Sequence, residues 1–151
     1  MSTSWFVTEQ RLRQTSGVEL GVGATAEELH EAERALGITF PDPLRLFLSS
    51  CGWAAIGPRE LFGLGQDVPA FLNLRAITQS ERDEANPALP VSLIPLSNDG
   101  AGNLFCIRAD ATPLESPVLF WNHELPPSQI PEQVAENYFE WLDETVDSAE
   151  E

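Results

Sequence analysis

The chain has 151 residues with 24 acidic and 8 basic side chains, a formal charge of −16, and 42% hydrophobic residues. That length suits one domain able to bury roughly 68–70% of the surface its unfolded form exposes, so folding requires neither a disulfide nor a metal. A field of this sign repels nucleic acid and anionic membranes and favours basic partners, and no stretch reaches the ~20 apolar residues of a membrane span.

Residues 1–24 are a weakly patterned lead-in. "SWFVTEQRLR" reads as either a short helix or a strand, and the glycine-rich "TSGVELGVG" as a loop. The start lacks the basic segment and apolar run of a secretory signal, so a soluble, cytoplasmic protein is expected.

The first clear helix is "TAEELHEAERALG". Thr25 and Glu28 have the spacing of a capping box, Leu29, Ala32, Ala35 and Leu36 make one apolar face, and Gly37 suits a left-handed terminator. A second helix begins at Pro41 or Pro43, where a missing amide hydrogen costs nothing, with Asp42 near its positive end. Leu44, Phe47 and Leu48 face a core, and Gly52 turns the chain into the extended "WAAIG". "RELFGLG" reads as a short strand. "DVPAFLNLRAITQSERDE" reads as a third helix, capped by Asp67 and burying Phe71, Leu74, Ile77 and Leu72.

Three strands follow, in "VSLIPLS", "NLFCIRAD" and "SPVLFWNHE". In the second, Leu104, Cys106 and Arg108 alternate with Phe105 and Ile107. The first two strands are joined by "NDGAGN", written in residues that tolerate positive φ. Consecutive strands with short turns point to an antiparallel sheet. "IPEQVAENYFEWLDETVDS" reads as a final helix opened by Pro131 and Glu132, with Val134, Tyr138, Trp141, Leu142 and Val146 on one stripe; residues 147–151 are an acidic, frayed tail. The fold class is α+β, one domain, an antiparallel sheet packed against N-terminal helices and a C-terminal amphipathic helix.

Motifs for chemistry are sparse. Cys51 and Cys106 lack CxxC spacing and read as reduced, buried thiols. His30 sits among charged helix residues and reads as exposed; His123, in "WNHE", is the one candidate base. No GxSxG or phosphate-loop motif is present, and Asn98, Asp99 and Asn103 do not match a calcium loop. No catalytic, metal or cofactor site is expected. Trp121 and Trp53 read first as core cover and second as aromatic anchors of an interface.

The segments "AEELHEAERALGITFPDPLRLFLSSCGW", "LPVSLIPLSNDGAGNLFCIRAD", "SPVLFWNHE" and "YFEWLDE" resemble, in order and spacing, the marks of the SUKH superfamily, which groups bacterial immunity proteins with a fungal regulator of cell-wall synthesis. Cys51-Gly52-Trp53 departs from the family's Asn-Gly-Gly-like turn. The resemblance places a SUKH-like domain at residues 25–146. It implies a non-enzymatic protein that binds and neutralises a cognate polymorphic toxin, with a basic toxin domain as partner and no direct contact with nucleic acid or membrane. The alternative is a regulatory or scaffolding module of the cell-wall type. The expected partner-binding patch is Trp53, Asp99, Trp121, His123 and Glu124.

Overall fold

The computed structural model describes residues 4–150. Residues 1–3 of the expected lead-in and Glu151 of the expected tail lie outside the described residues. The chain forms α1 (Trp5–Gln14), β1 (Val18–Leu20), α2 (Ala26–Leu36), α3 (Asp42–Ser50), β2 (Ala54–Ile56), β3 (Arg59–Leu61), α4 (Leu74–Asp83), β4 (Leu93–Asn98), β5 (Leu104–Arg108), β6 (Val118–Trp121), β7 (Glu132–Ala135) and α5 (Tyr138–Glu150). A single 3-10 turn, Ala70–Leu72, precedes α4. The seven strands form one antiparallel sheet in chain order. The α+β class and the antiparallel sheet flanked by helices are as the sequence predicts.

Local signals explain the N-terminal helices. Thr25 and Glu28 make the reciprocal capping box, and Gly37 closes α2 at φ +68°. Leu29, Ala32 and Leu36 are buried, whereas Ala35 is exposed, because the stripe is narrower than the sequence spacing allows. Pro41 caps α3 with Asp42 in its first turn, and Pro43, Leu44, Phe47 and Leu48 form its buried face.

From Ser4 on, the lead-in is ordered. Ser4 caps α1 by accepting a hydrogen bond from Val7 N at 3.4 Å, and Trp5 packs its ring 6.4 Å from Phe47 and 5.6 Å from Phe139. Within the expected loop, Val18–Leu20 instead pairs with β2. At the other end α5 continues to Glu150, so residues 147–150 are helical, and Arg11 is ion-paired to Asp147 and Glu150. The first and last helices thereby close on each other.

Two further elements differ from expectation. The third helix starts later: Asn73 caps α4 by accepting from Ala76 N at 3.0 Å. Asp67 turns away and accepts from Trp53 Nε1 at 3.1 Å. The break at Pro69–Asn73 puts Phe71 outside the helical stripe and 66% exposed, while Leu72 and Leu74 are buried. Residues 132–135 are a strand, not the first turn of a helix. Pairing with the open edge of β6 (Leu119 opposite Gln133) outweighs the local helical pattern, and Val134 leaves the buried stripe. The last helix begins only after Asn137, whose Oδ1 accepts from Phe139 N at 2.9 Å.

The core lies between the sheet and its helices. Both faces of β5 are covered: Leu104, Cys106 and Ile107 are buried and Phe105 packs on Phe120 and Trp141. Cys51 and Cys106 are free, buried thiols. Behind Trp53 the backbone crosses itself closely. A Cβ at Gly63 would lie 1.7 Å from the Gly52 carbonyl oxygen, so only glycine fits where the chain runs from β3 toward the 3-10 turn.

Candidate partner-binding surface

In an antiparallel meander, alternate connections lie at the same end of the sheet. The β2–β3, β4–β5 and β6–β7 connections therefore share one end, which carries Asp99, His123 and Glu124.

Asp99 organises the β4–β5 turn. Its Oδ1 accepts from Ala101 N at 2.8 Å and Asn103 N at 3.0 Å, and its Oδ2 accepts from Asn103 Nδ2 at 2.8 Å. Partial burial alone would raise the Asp99 carboxyl, but these hydrogen bonds and the nearby Arg59 charge together hold it below the usual carboxylate range. Asn103 carries the order to the next strand: its Oδ1 accepts from His123 N at 3.0 Å. The imidazole then lies over Gly102, where an added Cβ would be 3.1 Å from Nε2. His123 and Glu124 are both exposed. The loop beyond is closed by a reciprocal amide pair, with Asn122 N donating to Gln129 Oε1 at 3.0 Å and Gln129 Nε2 donating to Asn122 O at 2.8 Å.

Trp121 is buried beneath this end, and Trp53 lies away from it. Trp121 is 2% exposed, on β6 opposite Leu104. Trp53 is 7% exposed, stacked against Gly21 and hydrogen-bonded to Asp67. Their apolar rings are core cover, the first of the two readings the sequence offered, and neither presents an open edge. The structure thus brings Asp99, His123 and Glu124 to one end of the sheet and leaves the tryptophans inside.

Beside this end a groove of about 570 Å³ opens between the 3-10 turn, α4 and the β4–β5 turn. Phe62, Leu72 and Leu104 floor it, and Glu60, Glu81 and Asp99 line it. Arg59 also lines it, with its guanidinium 4.6 Å above the Phe105 ring and Nη1 donating to Asn98 O at 3.1 Å. Glu81 is half-buried; desolvation raises its carboxyl above the ordinary value, and His123 partly opposes the shift. Sequence spacing missed this groove because it placed Phe71 inside a continuous helix. Asn73, a strong cap residue followed by a helical stripe, is the signal that would have exposed Phe71.

Among the described residues no group of three or more His, Cys, Asp or Glu side chains is arranged to hold a metal ion, and no helix is long and apolar enough to cross a membrane.

Comparison with known proteins agrees with this architecture. No curated protein matches the chain. Among solved structures, a crystal structure of a protein from Pseudomonas syringae pv. tomato superposes with a TM-score of 0.61 at 20% identity, covering 91% of this chain and 94% of that one, a likeness of fold. The SUKH_5 family model, described as "SMI1-KNR4 cell-wall", matches residues 8–147, a span that takes in most of α1 and all of β1. On that match the chain belongs to the SMI1-KNR4 family of the SUKH superfamily.

Proposed function

We propose that this chain is a non-catalytic immunity protein that binds a cognate bacterial toxin domain in the cytoplasm and neutralises it by covering its working cleft. The observation that carries this reading is the one-signed surface. Carboxylates outnumber guanidinium groups by 24 to 8, and no lysine or arginine follows Arg108. Half of the arginines are also occupied: Arg11, Arg13, Arg45 and Arg108 are each ion-paired within the chain. The remaining carboxylates set the outward field. A nuclease is the toxin class this field suits best, because a nucleic-acid groove is basic and an anionic protein can occupy it. Asp99, His123 and Glu124 form the proposed contact end, with Trp121 supporting it from within, while Trp53 of the expected patch lies away from it.

The test mixes the purified chain with the toxin domain encoded beside its gene and assays the toxin's activity. Protection at one-to-one stoichiometry is expected, and its absence at excess refutes the reading. Raising ionic strength should slow association far more than it speeds dissociation; an unchanged on-rate removes the electrostatic part.

The family description favours one second reading, a scaffolding module that binds a cellular protein of cell-wall synthesis. Gene neighbourhood separates the two: an adjacent toxin gene supports immunity and its absence supports the scaffold.

A further inference from the structure

The structure points to a specific anchor, and we propose that the groove between the Ala70–Leu72 turn, α4 and the Asn98–Asn103 turn receives an arginine carried on an apolar segment of the partner protein. The inference rests on the proposed function only in taking the partner to be a protein.

Size and lining come first. At about 570 Å³ the hollow falls within the range of ~300–1,000 Å³ typical of ligand sites. Its floor is apolar. Phe71, at its rim, is 66% exposed, a large ring left in water with no covering element. Such a ring is unfavourable in isolation but suits an anchor point at an interface.

Charge then selects the occupant. Three carboxylates, of Glu60, Glu81 and Asp99, line the groove. Arg59 offsets part of that charge, acting on Asp99 while it rests on the Phe105 ring and the Asn98 carbonyl, and the lining keeps an excess of carboxylates. Asp99 is ionised and its oxygens are spent on the turn, so it contributes field more than contact. Glu81 is different: among the described residues its half-buried carboxylate accepts no hydrogen bond and forms no ion pair, and the charge of His123 bears on it. An acceptor that has lost part of its water and found no donor gains more from a charged donor than an exposed one does. Phosphates and carboxylates are excluded by the same field.

Geometry favours arginine over lysine. The guanidinium is planar, weakly hydrated and able to give two parallel hydrogen bonds to one carboxylate while its face lies on an aromatic ring. Glu81 and Phe71, which both line the groove, supply that pair of surfaces. Apolar residues flanking the arginine would cover Leu72 and Ile77, which also line the groove.

The test requires no toxin. The full chain, labelled with nitrogen-15, is titrated with acetyl-Leu-Arg-Leu-amide, its citrulline analogue and acetyl-Leu-Glu-Leu-amide. Saturable shifts confined to Phe71, Glu81, Gly100 and their neighbours are expected for the arginine peptide. Citrulline should bind about tenfold more weakly, as loss of a charge-assisted hydrogen bond requires. Glu81→Gln should weaken the arginine peptide by a similar factor, and so should Phe71→Ser, which removes an exposed ring and leaves the core intact. Glu27→Gln, on the exposed side of α2, should leave it unchanged. Equal shifts with all three peptides, shifts centred on another acidic face, or no saturable binding would overturn the proposal. Toxin neutralisation with no peptide binding would remove the anchor and keep the immunity reading; the reverse pattern would do the opposite.

Discussion

Gly63→Ala should destabilise the chain far more than a methyl group ordinarily does. The new Cβ would stand 1.7 Å from Gly52 O, 2.6 Å from Gly52 C and 2.8 Å from Trp53 Cα, all backbone atoms with no rotamer to escape into. Carbon–oxygen contacts settle at about 3.3–3.6 Å, so one chain must retreat by nearly the whole difference. That retreat strains three hydrogen bonds: Leu64 N to Gly52 O at 3.0 Å, Gly63 N to Leu72 O at 2.8 Å, and Leu74 N to Gly63 O at 2.8 Å. With a net worth of ~1 kcal/mol each, and 1–3 kcal/mol for a buried group left unpaired, the loss is about 3–6 kcal/mol. A domain of this size holds ~5–15 kcal/mol in total and loses roughly 2–4 °C of Tm per kcal/mol, so a fall of about 10 °C or more is expected. Urea unfolding followed by tryptophan fluorescence measures it. Gly37→Ala is the reference: it has open space around it but φ +68°, and should cost only ~1–2 kcal/mol for the left-handed backbone. A Gly63→Ala loss equal to or below that of Gly37→Ala would refute the steric argument. Because the Gly63 amide and carbonyl bracket the 3-10 turn, the same variant should also displace Phe71 and weaken binding in the groove.

Three other outcomes are expected. Asp99 has a depressed native pKa, so its contribution to stability is present above the ordinary carboxylate value and is lost as pH falls through the lower native value; Asp99→Asn should abolish that part of the acid dependence of the urea midpoint, and an unchanged profile would count against the turn network. Burial raises the thiols of Cys51 and Cys106, so neither should react with a thiol reagent in the native protein at neutral pH and both should react in urea; rapid native labelling of Cys106 would contradict its place in the sheet. Arg11→Met should cost about 1 kcal/mol, as for a partly exposed ion-pair network, and should speed amide exchange in α1 before any other helix; uniform acceleration would show that the α1–α5 contact carries no local stability.

The elements most legible in the sequence are those whose ends carry their own chemistry. Thr25, Glu28 and Gly37 delimit α2, and Asn98–Asn103 marks the β4–β5 turn, because caps and turns are local contracts between neighbouring residues. The elements misread are those decided by distant partners. Residues 132–135 have a helical pattern, but the edge of β6 claims them as a strand. Val18–Leu20 is short and sits between glycines, and only β2 makes it a strand. The candidate surface was legible in the same proportion. Asp99, His123 and Glu124 stand at turns and strand ends, which spacing locates. The groove depends on Phe71 turning outward after Pro69, and on Glu81 and Arg59 lining one hollow from different elements, a juxtaposition that no window of the chain contains. Trp53 and Trp121 were offered as core or interface, and residue type alone does not choose between them; burial does.

The strand order has a consequence for synthesis. Because neighbours in the sheet are neighbours in the chain, each strand leaving the ribosome meets an edge already made, and no early segment waits exposed for a distant mate. The exceptions are α1, α3 and β2, each of which also packs on α5. Those contacts wait until α5 has been made, and its final turn, which looks dispensable on paper, fastens onto α1 through Asp147 and Glu150.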